Sequence, residues 1–144
     1  MRVHVETTLP CSVDMAWSAI QSSDLLMEVT PGNGERSVVS PSPMPPRWTD
    51  ARQIVLRLPG LGLRTIDVVR VDAENHVIET RERDAVVQRW DHTMRVRPTP
   101  DGRACYSDTV EIEAGLFTWP VYVAAQCLYR YRHRGWLRIS RRLM

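Results

Sequence analysis

Val86-Val87-Gln88-Arg89-Trp90-Asp91-His92-Thr93-Met94-Arg95-Val96-Arg97 is followed by Pro98-Thr99-Pro100-Asp101-Gly102 and then by Cys105-Tyr106-Ser107-Asp108-Thr109-Val110-Glu111-Ile112. The reading of this stretch decides the fold. Trp90, His92, Met94 and Val96 alternate with Arg89, Asp91, Thr93 and Arg95, the period-2 pattern of a strand with one dry and one wet face. Tyr106, Asp108, Val110 and Ile112 alternate with Ser107, Thr109 and Glu111 in the same way. The proline, aspartate and glycine between them form a turn. The two arms therefore predict a β-hairpin, with His92 and Asp108 as polar groups in the middle of its apolar face. A loop centred on Pro100 sets His92 opposite Asp108, Trp90 opposite Val110, Met94 opposite Tyr106 and Arg89 opposite Glu111. A two-residue slip preserves both faces and remains open; a one-residue slip would bury charges.

Outward from the hairpin, His76, Ile78, Thr80 and Glu82 share one face of the preceding strand. A turn at Asp84 would place Ile78 across from Trp90, His76 across from His92, and Glu79 beside Arg89. The earlier strands are Gln53 to Leu58, with Ile54, Leu56 and Leu58 inward, and Leu63 to Asp72, whose inner face is ambiguous. Pro59 to Gly62 joins them as a turn. Arg36 to Ser40 is a further strand, followed by the proline-rich Pro41 to Pro46, a connector or a lid. At the N-terminus Arg2 to Leu9 alternates as a strand. Ser12 then caps a helix with Trp17 and Ile20 on its buried side, and Asp24 caps a short second helix that stops at Pro31-Gly32-Asn33-Gly34. Thr118 and Pro120 open a long final helix. Val121, Ala124, Leu128 and Tyr131 recur on it at helical spacing, beside a second stripe of Tyr122, Ala125, Tyr129 and Trp136, and Gly135 is a candidate kink.

The chain has 144 residues and a formal charge of +2, the size of one domain spanning residues 1–144. All 19 basic residues are arginine. The basic run from Arg130 to Arg142 reads as a solvated helix face, and no nucleic-acid partner is expected. Cys11, Cys105 and Cys127 are widely spaced thiols, which suits a reducing, cytoplasmic setting. No signal peptide or membrane-spanning run is read, so no stable membrane insertion is expected.

The order of strand, two helices, consecutive strands and one long helix resembles the helix-grip fold of the START/polyketide-cyclase superfamily. Trp90 to Val96, Asp108 to Glu113 and Tyr129 to Arg134 resemble the two strand motifs and the helix motif of a bacterial cyclase/dehydrase-like subfamily, and Leu26 to Pro31 resembles its Leu-Thr-Pro stretch. The chain has Met94, Ile112 and Ala85-Val86-Val87 where that subfamily has histidine, tyrosine and Gly-Pro-Phe. The resemblance implies an α+β fold: a curved seven-stranded antiparallel sheet around the C-terminal helix, two short helices between strands 1 and 2, and a cavity between sheet and helix. It also implies cyclase-, dehydratase- or lipid-transport-like activity.

Three functions follow as expectations. The first is binding or transport of a small hydrophobic or aromatic ligand, lined by His76, Gln88, Trp90, Met94, Tyr106, Val110, Tyr122, Ala125 and Tyr129. The second is a cyclase or dehydratase with His92 and Asp108 as an acid–base pair. The third is a non-catalytic interaction module with a filled core, including a homodimer through the sheet edge or the basic helix. No metal spacing, phosphate loop or nucleophile motif is present in the sequence, so no cofactor is expected. A purely structural His92–Asp108 pair is the alternative to any active role.

Overall fold

The computed structural model describes residues 1–29, 37–40, 46–49, 52–58 and 62–143. The expected stop at 31–34, the end of the Leu26 to Pro31 segment, the 41–45 part of the proline-rich loop and the 59–61 turn lie outside these residues. The elements in chain order are β1 (Arg2–Leu9), α1 (Val13–Gln21), α2 (Ser23–Val29), β2 (Ser37–Ser40), β3 (Arg52–Leu58), β4 (Gly62–Asp72), β5 (Val77–Arg83), β6 (Arg89–Pro98), β7 (Ala104–Glu113) and α3 (Thr118–Arg142). A single 3-10 turn, Gly115–Phe117, precedes α3.

The strands form one antiparallel sheet in the order β1-β7-β6-β5-β4-β3-β2. Strands β2 to β7 are a meander, because short turns can join only antiparallel neighbours. The first strand then adds beside the last one. α3 packs over the β1–β7 end of the sheet and against α2, while α1 packs on β6, β7 and α2.

The β6–β7 register is the slipped one: Trp90 faces Ile112, His92 faces Val110, Met94 faces Asp108 and Arg89 faces Glu113. The expected pairings of His92 with Asp108, Trp90 with Val110, Met94 with Tyr106 and Arg89 with Glu111 are thereby corrected. The cause is the turn. Thr99 N–H donates to Arg103 O at 2.9 Å, and Gly102 takes a φ of +81° that suits glycine, so the loop centres on Asp101.

The β5–β6 register also differs: Ile78 faces Met94, Thr80 faces His92 and Glu82 faces Trp90. Here Asp84 Oδ1 accepts from the backbone of Val86 and Val87 at 2.9 and 2.8 Å. This turn holds residues 84–88 out of the ladder and delays β6 to Arg89. The expected Glu79–Arg89–Glu111 row does not form. Glu79 pairs with Arg70, Arg89 with Asp91 and Glu113, and Glu111 with Arg2.

The ambiguous face of β4 resolves through a bulge between Val68 and Arg70. Arg64, Ile66 and Val68 point inward before it and Val71 after it, since one extra residue flips the alternation. Ser12 caps α1, accepting from Met15 N at 3.2 Å. Ser22, not Asp24, caps α2, accepting from Leu25 N at 3.3 Å. Thr118 does not cap α3; its hydroxyl accepts from Ala114 N and donates to Gly115 O, closing the 3-10 turn. α3 runs unbroken through Gly135, which is a point of close approach instead of a kink. A β-carbon there would lie 2.8 Å from Val29 Cγ1.

The buried face of α3 holds Ala125, Tyr129 and Trp136 of the second expected stripe, with Arg132, His133 and Ile139 beside them, while Tyr122 is half-buried. Ala124 and Tyr131 from the first stripe are exposed.

Candidate functional site

The apolar interior falls into two clusters. One gathers Leu9, Trp17, Ile20, Trp48, Ile54, Met94, Val96, Tyr106 and Trp136. The other gathers Val3, Val87, Trp90, Val110, Ile112, Ala125 and Tyr129. Each element that crosses both clusters carries a polar residue at the division: Thr7 on β1, His92 on β6, Asp108 on β7, and Arg132 with His133 on α3. A polar layer thus cuts the core at one level.

Asp108 is the centre of this layer and is wholly buried. Its Oδ1 accepts from His92 Nε2 at 2.5 Å and from the Tyr106 hydroxyl at 2.9 Å. Its Oδ2 accepts from His133 Nε2 at 2.8 Å. The other nitrogen of His133 shares a 2.7 Å hydrogen bond with Thr7 Oγ1. Although His92 faces Val110, Asp108 sits diagonally across the ladder, within reach of a long side chain. Burial alone would raise the Asp108 pKa, but the bonds from His133 and His92 outweigh it and hold the carboxyl well below its usual range.

On the far side of His92, Nδ1 lies 3.7 Å from Glu82 Oε2. Burial disfavours the imidazolium, yet Asp108 and Glu82 together hold the His92 pKa above its usual value. Glu82 accepts from Arg64 Nε at 3.1 Å and from Thr80 Oγ1 at 3.2 Å. Burial opposes its charge, but Arg64 and His92 draw its pKa down to about 2. Arg64 also donates to Asp84 at 2.7 Å, and its guanidinium lies 4.6 Å from the centre of the Trp90 ring. Trp90 Nε1 donates to the Tyr129 hydroxyl at 3.1 Å, and burial pushes that phenol up.

His92, Asp108, Trp90, Tyr106 and Tyr129 are therefore brought together. Met94 lies in one flanking cluster, and Val110 and Ala125 lie in the other. His76 and Gln88 stand apart, and Tyr122 packs at the edge of the second cluster. His76 adopts a φ of +55° in the β4–β5 turn and packs against Trp17 at 5.2 Å, so it does not join His92. Gln88 is exposed, because β6 begins only after it. Tyr122 stacks on Trp119 at 5.6 Å and its hydroxyl accepts from Gln126. Sequence reasoning missed Arg64, Glu82, Arg132 and His133. For the last two a signal existed: they fall within the 125–129–136 stripe of α3, but their charge made them look solvated.

Among the described residues no group of His, Cys, Asp and Glu side chains has the arrangement of a metal site. A groove of about 450 Å³ lies elsewhere, over α1 and α2, between Met15, Ser18, Leu25 and Arg47. No described helix is long and apolar enough to cross a membrane.

No protein-family model matches this chain, and no curated protein matches it in sequence. Solved structures do match. A START superfamily protein from Mycobacterium smegmatis has a TM-score of 0.71 at 10% identity, over 99% of this chain and 99% of that one. Truncated norcoclaurine synthase from Thalictrum flavum has a TM-score of 0.68 at 12% identity, over 96% and 92% of the two chains. A protein from Mesorhizobium loti has a TM-score of 0.76 at 14% identity, over 99% and 98%. With an antiparallel sheet, a long C-terminal helix and these neighbours, the chain has the START-like, helix-grip fold.

Proposed function

We propose that this protein binds a small hydrophobic or aromatic molecule between the sheet and α3, beside the polar layer. One observation carries the reading: the layer itself. A core that served only stability would gain by replacing a buried ionic network with packed hydrocarbon. Here two apolar clusters flank His92, Asp108, Tyr106 and Tyr129, the arrangement that suits an apolar ligand with a polar handle. The START-like neighbours support that reading at the level of fold.

Catalysis by His92 is the weaker reading, although norcoclaurine synthase is by its name an enzyme on the same fold. A general base needs a free lone pair. Both ring nitrogens of His92 instead face carboxylates, and those carboxylates favour the charged ring.

Native mass spectrometry of freshly purified protein tests the proposal. The expected result is a population heavier by one small molecule, lost on denaturation. A single bare mass, together with no affinity for any apolar probe, would overturn it.

A further inference from the structure

Resting on that reading, we propose that the ligand bears a carboxylate and that Arg132 holds it. Arg132 stands on the inner face of α3 and is only 6% exposed. Its guanidinium carbon lies 5.1 Å from the centre of the Tyr129 ring. Asp108, Tyr106, Tyr129 and Glu82 all feel its charge, so it points into the polar layer and not along the helix surface.

The other polar side chains there have partners: Arg64 has Glu82 and Asp84, and His92 and His133 have Asp108. Arg132 Nε has no hydrogen-bond partner in the protein. Leaving a buried ion without such a partner is costly, and the face of one phenol recovers only part of that cost. The two other buried side-chain polar atoms without a partner, among the described residues, are the indole nitrogens of Trp48 and Trp136. Trp136 lies one helical turn beyond Arg132.

The unmet Arg132 Nε is a donor, so the missing complement is an acceptor. Asp108 and Glu82 do not supply it, since their oxygens bond to His92, Tyr106 and His133 and to Arg64 and Thr80 respectively, and not to Arg132. Among the described residues no carboxylate forms an ion pair with the Arg132 guanidinium. A planar carboxylate fits its fork of N–H groups with two parallel bonds. The ligand class is therefore an amphipathic carboxylic acid, its apolar body against Trp90, Tyr129 and Tyr106 and its head on Arg132.

Matched probes test this on the full chain by titration calorimetry at about pH 7.5, where carboxylic acids are ionised. Decanoic acid is compared with decanol, and 2-naphthoic acid with 2-naphthamide. At least one acid should bind roughly tenfold or more tightly than its neutral counterpart, the worth of a charge-assisted pair. In Arg132→Gln that preference should vanish. Arg132→Lys keeps the charge without the fork, so the preference should shrink and persist; this variant carries the test if the glutamine variant does not fold.

Equal affinity of acid and neutral probe in the wild type overturns the assignment while the apolar-binding reading stands. So does a preference undiminished in folded Arg132→Gln, or in Arg132→Lys. If none of the four probes binds, both the assignment and the reading beneath it fail.

Discussion

A single carboxylate, Asp108, organises the interior by taking hydrogen bonds from two imidazoles and a phenol. Its effect on His92 sets the pH response. The folded pKa of His92 lies above its unfolded value near 6.5, so its stabilisation is complete below that value and is lost as pH rises through the folded pKa. The thermal midpoint should therefore fall as pH rises above about 6.5, and His92→Gln should flatten that limb. An equally steep alkaline fall in the variant would refute the assignment to His92. Glu82 acts in the opposite sense. Its stabilisation is present above about 4.5 and disappears as pH falls toward about 2. At this scale the sequence was partly legible. Alternation along β6 and β7 put His92 and Asp108 on one inner face whatever the register. It could not reveal that His133 completes the set, because that contact joins residues 25 positions apart on a helix and a strand.

At the scale of elements, the helices lean on close approach. Gly135 lets α2 lie against α3, and an added β-carbon would sit 2.8 Å from Val29 Cγ1 and 3.3 Å from the Val29 backbone. Gly135→Ala should gain about 1 kcal/mol of helix propensity and lose about 1–3 kcal/mol to overpacking. The expected net loss is read by urea denaturation, and adding Val29→Ala should restore part of it. A stabilised Gly135→Ala would show that the two helices are not held that closely. Strand identities were legible from alternation, but their pairings were not. Both misplaced registers were decided in loops, by the side chains of Asp84 and by Gly102 and Thr99, where one or two residues of slack move a whole ladder. The inner face of β4 was illegible for a related reason, since a bulge at Val68–Arg70 breaks the period that the eye follows. Gly135 was visible as an anomaly in α3, but contact with a distant helix and bending look alike in one dimension.

For the molecule as a whole, the order of elements was the most readable property, because strands separated by short polar breaks can hardly do other than form a meander. The exception is β1, which has no neighbour in sequence to pair with and takes the free side of β7. Removing residues 1–9 should expose that edge together with the Thr7 contact to His133. Unpaired edges recruit other strands, so the truncated chain should elute as oligomers or aggregate in size-exclusion chromatography, whereas the intact chain should not form such species. A stable monomer of the truncated chain would mean that α3 alone can protect the edge. The same join has a consequence in time. Arg2 pairs with Glu111 and Leu9 with Ala104, so β1 is made well before its partner and has no berth until β7 has followed it. Contacts of such long sequence separation close slowly. A nascent chain thus carries an idle β-segment until β7 has emerged, and its vulnerability to misassembly is greatest before then.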